Sequence, residues 1–258
     1  MSSTMNRSEV INSGDISVGK LVSLDYRYAG VFTKYGIDFC CGGKVSLKSI
    51  IEKKKINEAE LKNALNAISP ESETIPAKLS LSELIDVIIR EHHDYLREAI
   101  PVLKEHLAKI LKVHGGNHPY LAELNTTFSE LSTELISHLK KEESILFRVI
   151  KYVEECARYS EKPRTNGYKS IQSVLGSYLE EHEKAGELLR KINQLTSNFT
   201  PPEDACTTFR VSYMELKEFE ENTFKHVHLE NNVLFPKAIE LEMTLGLLNR
   251  HNQKERIA

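Results

Sequence analysis

Residues 138–147 read HLKKEESILF, and residues 226–235 read HVHLENNVLF. Both fit H-x-x-x-E-x-x-[IV]-L-F, and they lie 88 residues apart. A histidine and a glutamate four positions apart stand one above the other on the same face of an α-helix. Two such turns at a fixed offset read as an internal repeat, in which one pair of helices duplicates another.

The surrounding pattern is helical. Leu121, Leu124, Phe128, Leu131, Leu135, His138, Glu142, Ile145 and Val149 follow at steps of three or four, which defines a single buried stripe. A later helix carries Leu216, Phe219, Thr223, His226, Glu230 and Val233 in the same way. Between them, Ile171, Leu175, Tyr178, His182, Ala185, Leu189 and Ile192 form a third stripe. The first helix is marked by Leu84, Ile85, Ile88, Ile89, Leu96, Ile100, Leu103 and Leu107. His92 and His93 both fall near that face, and periodicity alone does not choose between them.

Punctuation separates the four patterns. Ser80 and Glu83 form a capping box at the start of the first, which ends near Gly115-Gly116. The second runs from about Asn117-His118-Pro119 to Arg158, and a polar turn from Ser160 to Gly167 follows. The third ends near Ser197-Asn198, and Thr200-Pro201-Pro202-Glu203 opens the fourth. No strand alternation of any length is present. Four long helices with short connections predict an all-α, antiparallel up-down bundle over 77–245. Ahead of it, short helical patterns broken by turns predict a small helical domain over 17–76, closed by a linker at Ser69–Pro76 that contains two prolines. Residues 1–16 read as a flexible N-terminus and 246–258 as a tail.

Composition sets limits on function. The 258 residues carry a net charge of only −3, which offers no basis for nucleic-acid or acidic-lipid binding. The basic run Lys53-Lys54-Lys55 reads as a solvated face. No stretch approaches the roughly 18 apolar residues of a membrane helix, and Met1–Lys20 lacks an apolar leader core. Cysteine usage does not resemble a secreted disulfide framework, so the expected compartment is the cytoplasm.

A charged glutamate inside a packed seam costs several kcal/mol, in rough terms, unless paired or bound to metal. Taking His93 as the first-helix member, the steps to His138, His182 and His226 are 45, 44 and 44 residues. The midpoints fall in or close to the three turns, so all four histidines would stand at one height in an up-down bundle. One histidine on an apolar face is usually a hydrogen-bonded core residue. Two H-x-x-x-E turns on seams, with two further histidines at matching heights, reverse that reading. Four imidazoles and two carboxylates suit two iron or manganese ions with vacant positions, with carboxylates as bridges. Calcium would want more oxygen, and structural zinc a closed tetrahedron. His106, His114, His118 and His251 read as ordinary surface or helix-end residues, and His228 should face away from the seam.

Asp38-Phe39-Cys40-Cys41-Gly42-Gly43-Lys44 is a second dense signal. Adjacent cysteines beside glycines suggest accessible thiols, with redox, metal, nitrosyl or transfer chemistry, or else a turn in which the thiols pack. Cys156 and Cys206 read as structural.

At this point DFCCGGK at 38–44, EHEKAGELL at 181–189, TPPEDACTT at 200–208 and HVHLENNVLFP at 226–236 resemble the repair-of-iron-centres family. These are bacterial haemerythrin-like di-iron proteins linked to recovery of iron–sulfur clusters after nitrosative and oxidative stress. The resemblance covers nearly the whole chain. It implies iron ligands at His93, His138, Glu142, His182, His226 and Glu230, choosing His93 because the ligand immediately precedes an aspartate, here Asp94. Two departures are Arg148, where the repeat-equivalent position holds Pro236, and the longer N-terminus. The resemblance further implies two iron ions, damaged iron–sulfur proteins as partners, nitric oxide or oxygen as a small ligand, and a role for Cys40 and Cys41 in redox or transfer chemistry. Glu143 and Glu181, beside ligands, are candidates to support them or to line a channel.

Three functions compete: a repair protein donating labile iron, a haemerythrin-like sensor or carrier of oxygen or nitric oxide, and an interaction protein using its N-terminal region. The residue four after His182 is Gly186 rather than a second histidine, which favours an open, labile site over a carrier. A homodimer through the small domain is compatible with the sequence.

Overall fold

The computed structural model describes residues 7–25, 27–39, 43–68, 79–161 and 170–246. Cys40 and Cys41, the linker prolines Pro70 and Pro76, and most of the 246–258 tail lie outside the described residues. The chain divides into two compact units, Met1–Ser80 with Val227–Pro236, and Leu81–His226 with Lys237–Ala258.

Among the described residues the first unit has five short helices: α1 (Arg7–Ser13), α2 (Val18–Leu24), α3 (Tyr28–Lys34), α4 (Leu47–Lys54) and α5 (Glu58–Asn66). Ser17, Ser46 and Asn57 cap α2, α4 and α5 by accepting backbone N–H bonds from Lys20, Ser49, and Ala59 with Glu60. Each such cap contributes about 1 kcal/mol. Val18, Leu21, Phe32, Leu47, Leu61 and Leu65 are fully buried and supply the core. Within the segment 1–16, helix α1 is anchored by the buried Ile11 and by Lys62 Nζ, which donates to the Asn12 carbonyl at 2.6 Å and ties α1 to α5.

Residues 227–236 complete this unit through a close approach. Gly19 N donates to Gly43 O at 2.9 Å. A Cβ at Gly19 would run into that carbonyl and the Asn232 side chain, so only glycine fits. Ser23 Oγ donates to Asn232 O at 3.3 Å, and the Phe39 ring meets His228 edge-on with centroids 5.9 Å apart. His228 thus turns away from the seam, as its spacing from His226 requires.

Four long helices follow. The first is α6 (Leu81–Ile88), a π-helical turn π1 (Ile89–His93) and α7 (Asp94–His114). The second is α8 (Tyr120–Lys141), π2 (Glu142–Leu146) and α9 (Phe147–Arg158). The third is the uninterrupted α10 (Ile171–Leu195), and the fourth is α11 (Thr207–Leu229), π3 (Glu230–Leu234) and α12 (Phe235–Thr244). These long helices pack as a haemerythrin-like bundle preceded by the small helical region, as the stripes predict. Leu96, Leu103, Leu124, Leu131, Leu189 and Phe219 belong to one continuous apolar core. Phe128 meets Phe219 edge to face at 5.3 Å. Among the described residues the only extended pairing is an isolated bridge between Ser17 and Ser46.

Two glutamates fix the helix starts. Glu154 accepts from the backbone N–H of Leu81 at 2.7 Å and of Ser82 at 3.0 Å. Glu242 accepts from Ile171 N at 2.8 Å and Gln172 N at 3.4 Å. A carboxylate suits the positive end of a helix dipole and satisfies donors that have no intrahelical acceptor. These residues are separated by 242 − 154 = 88 positions, the same offset as the H-x-x-x-E turns. The duplication therefore extends to the way each helix pair is fastened.

One stripe was misread. Ile145 is 52% exposed, whereas Leu146, Phe147 and Ile150 are buried. The wide turn π2 holds one extra residue, so the buried face after Glu142 shifts by one position. A constant helical step assigns Ile145 and Val149 to the seam and misses this shift.

Candidate metal centre

Each π-helical turn carries a candidate ligand at its edge. Asp94 N donates to Ile89 O, Phe147 N to Glu142 O, and Phe235 N to Glu230 O, five residues apart instead of four. Such single wide turns recur at functional sites because they displace a side chain from the regular helical path. His93 closes the first of them, while Glu142 and Glu230 open the other two. His138 and His226 lie one regular turn earlier on their helices. His182 projects from the uninterrupted α10, with Gly186 buried one turn beyond it.

His93, Glu142, His226 and Glu230 have no exposed surface, and His138 and His182 are 3% and 2% exposed. The imidazoles meet in pairs. His93 Nε2 lies 3.1 Å from His226 Nε2, and His138 Nε2 lies 2.9 Å from His182 Nε2. Glu142 stands between the pairs. Its Oε2 is 3.2 Å from His138 Nε2, 3.6 Å from His93 Nε2 and 3.7 Å from His226 Nε2, and its Oε1 is 3.8 Å from His182 Nε2. Two overlapping buried donor groups result: His93, Glu142, His226 and Glu230, and His138, Glu142, His182 and Glu230. Within each, one ligand atom per residue lies within 4.8 Å of every other. The carboxylates are shared and the histidines are not.

The outer faces of two imidazoles are held. His93 Nδ1 contacts Glu143 Oε1 at 2.7 Å, and His138 Nδ1 contacts Glu181 Oε2 at 2.8 Å. Arg97 reaches Glu143 at 2.6 Å, and Lys141 pairs with Glu181. Partial burial works against ionisation of both glutamates. The hydrogen bonds and charges of His93 with Arg97, and of Lys141 with His138, outweigh it and hold both carboxyls below the usual range. An ionised carboxylate only accepts, so Nδ1 carries the proton and each Nε2 presents its lone pair inward. Each faces the Nε2 of His226 or His182 at 3.1 or 2.9 Å, a gap that a shared proton or a metal ion can occupy. Four imidazoles and two carboxylates converging in this way fit a pair of metal ions.

His92, the other first-helix candidate, lies elsewhere. It is buried, its Nδ1 is 3.1 Å from Asn222 Oδ1, and its ring stacks near His226 with centroids 6.2 Å apart. It belongs to neither donor group. Sequence reading did not find Arg97 and Lys141, because half-exposed basic residues resemble any solvated helix face. Their only signal is position, four after His93 and three after His138.

Comparison with known proteins agrees with this geometry. Residues 84–238 match the Hemerythrin HHE cation binding domain. Residues 14–69 match ScdA_N, described as a domain of unknown function (DUF542). The site and both matched segments define a haemerythrin-type bundle behind a small helical domain. Over 222 residues the chain is 36% identical to the iron–sulfur cluster repair protein ScdA of Staphylococcus epidermidis, covering 84% of this chain and 95% of that protein. It is 36% identical over 231 residues to the iron–sulfur cluster repair protein YtfE of Escherichia coli, covering 87% and 97%. The ScdA of Staphylococcus haemolyticus is 33% identical over 211 residues, covering 81% and 91%. The chain belongs to the ScdA/YtfE iron–sulfur cluster repair family.

Proposed function

We propose that this protein repairs iron–sulfur clusters damaged by nitrosative or oxidative stress, by donating iron from a di-iron centre. The observation that carries this reading is Glu142, fully buried and within 3.8 Å of four imidazole nitrogens arranged as two facing pairs. A shared carboxylate between two histidine pairs is the arrangement a two-ion centre needs. His93 with His226 would hold one ion, and His138 with His182 the other. Glu142 and Glu230, common to both groups, would bridge them.

Four nitrogens and two carboxylates favour iron over calcium or structural zinc. Bound there, iron supplies one-electron chemistry and open coordination positions for a small ligand such as nitric oxide or oxygen. Glu143 and Glu181 keep the proton on the outer nitrogens of His93 and His138, so the inner lone pairs stay available. The bundle core excludes water from the seam and fixes ligand height. Protonation of the imidazoles and movement of the carboxylates would weaken the hold of these residues on a bound ion, since metal affinity falls as ligands gain protons. The recipients are damaged iron–sulfur proteins, consistent with the names of the relatives aligned over most of the chain. A reducing cytoplasmic setting suits such substrates and the Cys40–Cys41 pair.

The test uses a nitrosylated, inactive iron–sulfur enzyme and protein loaded with isotopically labelled iron. Recovery of enzyme activity with the label in the rebuilt cluster supports donation. Reversible oxygen or nitric oxide binding, with neither recovery nor label transfer, would replace this reading with a gas sensor or carrier.

A further inference from the structure

The internal repeat sets two equivalent turns beneath the two shared carboxylates, and the turns differ on their outer side. Subtracting the 88-residue offset maps His228, Asn232 and Pro236 onto Lys140, Ser144 and Arg148. Each trio runs at steps of four and so forms a stripe along one helix face. Glu142 and Glu230 lie two residues from members of these stripes, about 200° round a regular helix, so each stripe faces away from its carboxylate. Lys140, Ser144 and Arg148 are all exposed. By contrast, His228 is 1% exposed and Asn232 is partly buried.

The small helical region covers them. Phe39 meets the His228 ring edge-on, and a backbone hydrogen bond joins the two residues. Asn232 Nδ2 is 3.2 Å from His228 Nδ1. An amide nitrogen only donates, so Nδ1 accepts and Nε2–H is left to donate to the Phe39 carbonyl. Asn232 Oδ1 fills the space that a Cβ on Gly19 would take, and a Cβ on Gly43 would stand 3.2 Å from it. Pro236 has no N–H, so it cannot serve the Asn232 carbonyl four residues earlier as a helical donor. Ser23 Oγ donates to that carbonyl at 3.3 Å. Arg148, at the equivalent place in the second helix, keeps its N–H. All these contacts, and Glu230 with them, fall within one compact unit.

We propose that the small helical region positions Glu230. His228 and Asn232 fasten the outer side of π3 to Ser23, Phe39 and the Gly19–Gly43 contact, and this sets where the Glu230 carboxylate stands. The matching face of π2 is exposed, so the device acts on one shared carboxylate and not on the other. His228 and Asn232 belong to neither donor group and act as positioning residues through the turn that they flank. The inference rests on the di-iron reading, in which Glu230 is a bridge between the ions.

The test combines anaerobic iron competition against a chelator with Mössbauer spectra of the iron-loaded full chain. His228→Phe keeps a ring against Phe39 and removes the hydrogen bonds. Asn232→Ala removes the contact with Gly19 and Gly43, and Gly19→Ala drives a methyl group into it. Each should lower iron affinity about tenfold, as loss of a supporting group commonly does, and alter the quadrupole splitting of the irons. Lys140→Ala and Ser144→Ala, on the matching face of the second helix, should leave both readouts at parental values. Circular dichroism controls for folding, and His228→Phe and Asn232→Ala decide the matter if Gly19→Ala misfolds. Two irons in the parent, with unchanged affinity and spectra in His228→Phe and Asn232→Ala, would overturn the positioning role and leave the di-iron reading standing. Equal losses in Lys140→Ala and Ser144→Ala would also overturn it. A parent that binds no iron would overturn both readings together.

Discussion

His138 Nε2 faces His182 Nε2 at 2.9 Å, while Glu181 grips His138 from behind at 2.8 Å. Glu181 immediately precedes His182, so one turn of α10 supplies both a candidate ligand and the group that orients the facing candidate, His138. Glu181→Ala should lower iron affinity about 10- to 100-fold, as loss of an orienting carboxylate commonly does. Glu143→Ala should act similarly through His93. Glu181→Gln should recover part of the loss, because the amide oxygen still accepts from Nδ1. Anaerobic iron competition with a chelator measures this. Unchanged affinity in both alanine variants would remove the orienting role.

The wide turn π2 gives a second expectation. Deleting Ser144 would convert the turn to regular helix and keep Leu146, Phe147 and Ile150 in the core register. Glu142 opens the turn, so closing it to a four-residue step would shift the Glu142 backbone and move its carboxylate relative to the four imidazoles. The variant should fold with near-parental helicity and lose most of its iron. Retention of full iron occupancy would show that the extra residue is incidental.

The bundle was legible because its apolar stripes are long and its turns well marked, and the six candidate ligand positions stood out as polar residues on those stripes. His93 was separable from His92 only by resemblance, since neighbouring residues on a helix differ by about 100° and both bordered the apolar face. Ile145 was assigned to the core because a wide turn leaves no compositional mark. Glu154 and Glu242 were invisible as caps because the N–H groups they satisfy lie 70 to 73 residues earlier in the chain. Helix α1 leaves no such mark, because one buried Ile11 in a polar segment gives no periodicity.

Those caps should matter for stability but not for metal. Glu242→Ala strips the acceptor from Ile171 N, a buried bond. The loss should be about 1–2 kcal/mol, or roughly 2–8 °C in Tm for a protein of this size. Iron content should be unchanged. Calorimetry of the loaded protein checks the first, and metal analysis the second.

Glu220 should make stability depend on pH. It is 6% exposed on α11, with Asn193 Nδ2 at 3.4 Å from each carboxylate oxygen. Burial pushes its pKa up to about 7, from an ordinary value of 4.5. Between those values the folded chain holds a proton that the unfolded chain has released. The contribution of Glu220 is therefore complete below about pH 4.5 and is lost as pH rises through about 7. Glu220→Gln, which keeps the Asn193 contact without the charge, should flatten stability across this range and raise it at pH 8 by roughly 1–3 kcal/mol. Denaturant melts at pH 5 and pH 8 test this. An equal effect at both values would place its cause outside ionisation.

The most direct test of the central claim is metal analysis of anaerobically purified protein beside His138→Ala, Glu142→Ala. The two donor groups predict two iron ions per chain in the parent, with a clear loss in the variant, because Glu142 belongs to both. One zinc per chain or no metal, alike in parent and variant, would contradict the account and leave the seam residues as a buried polar network.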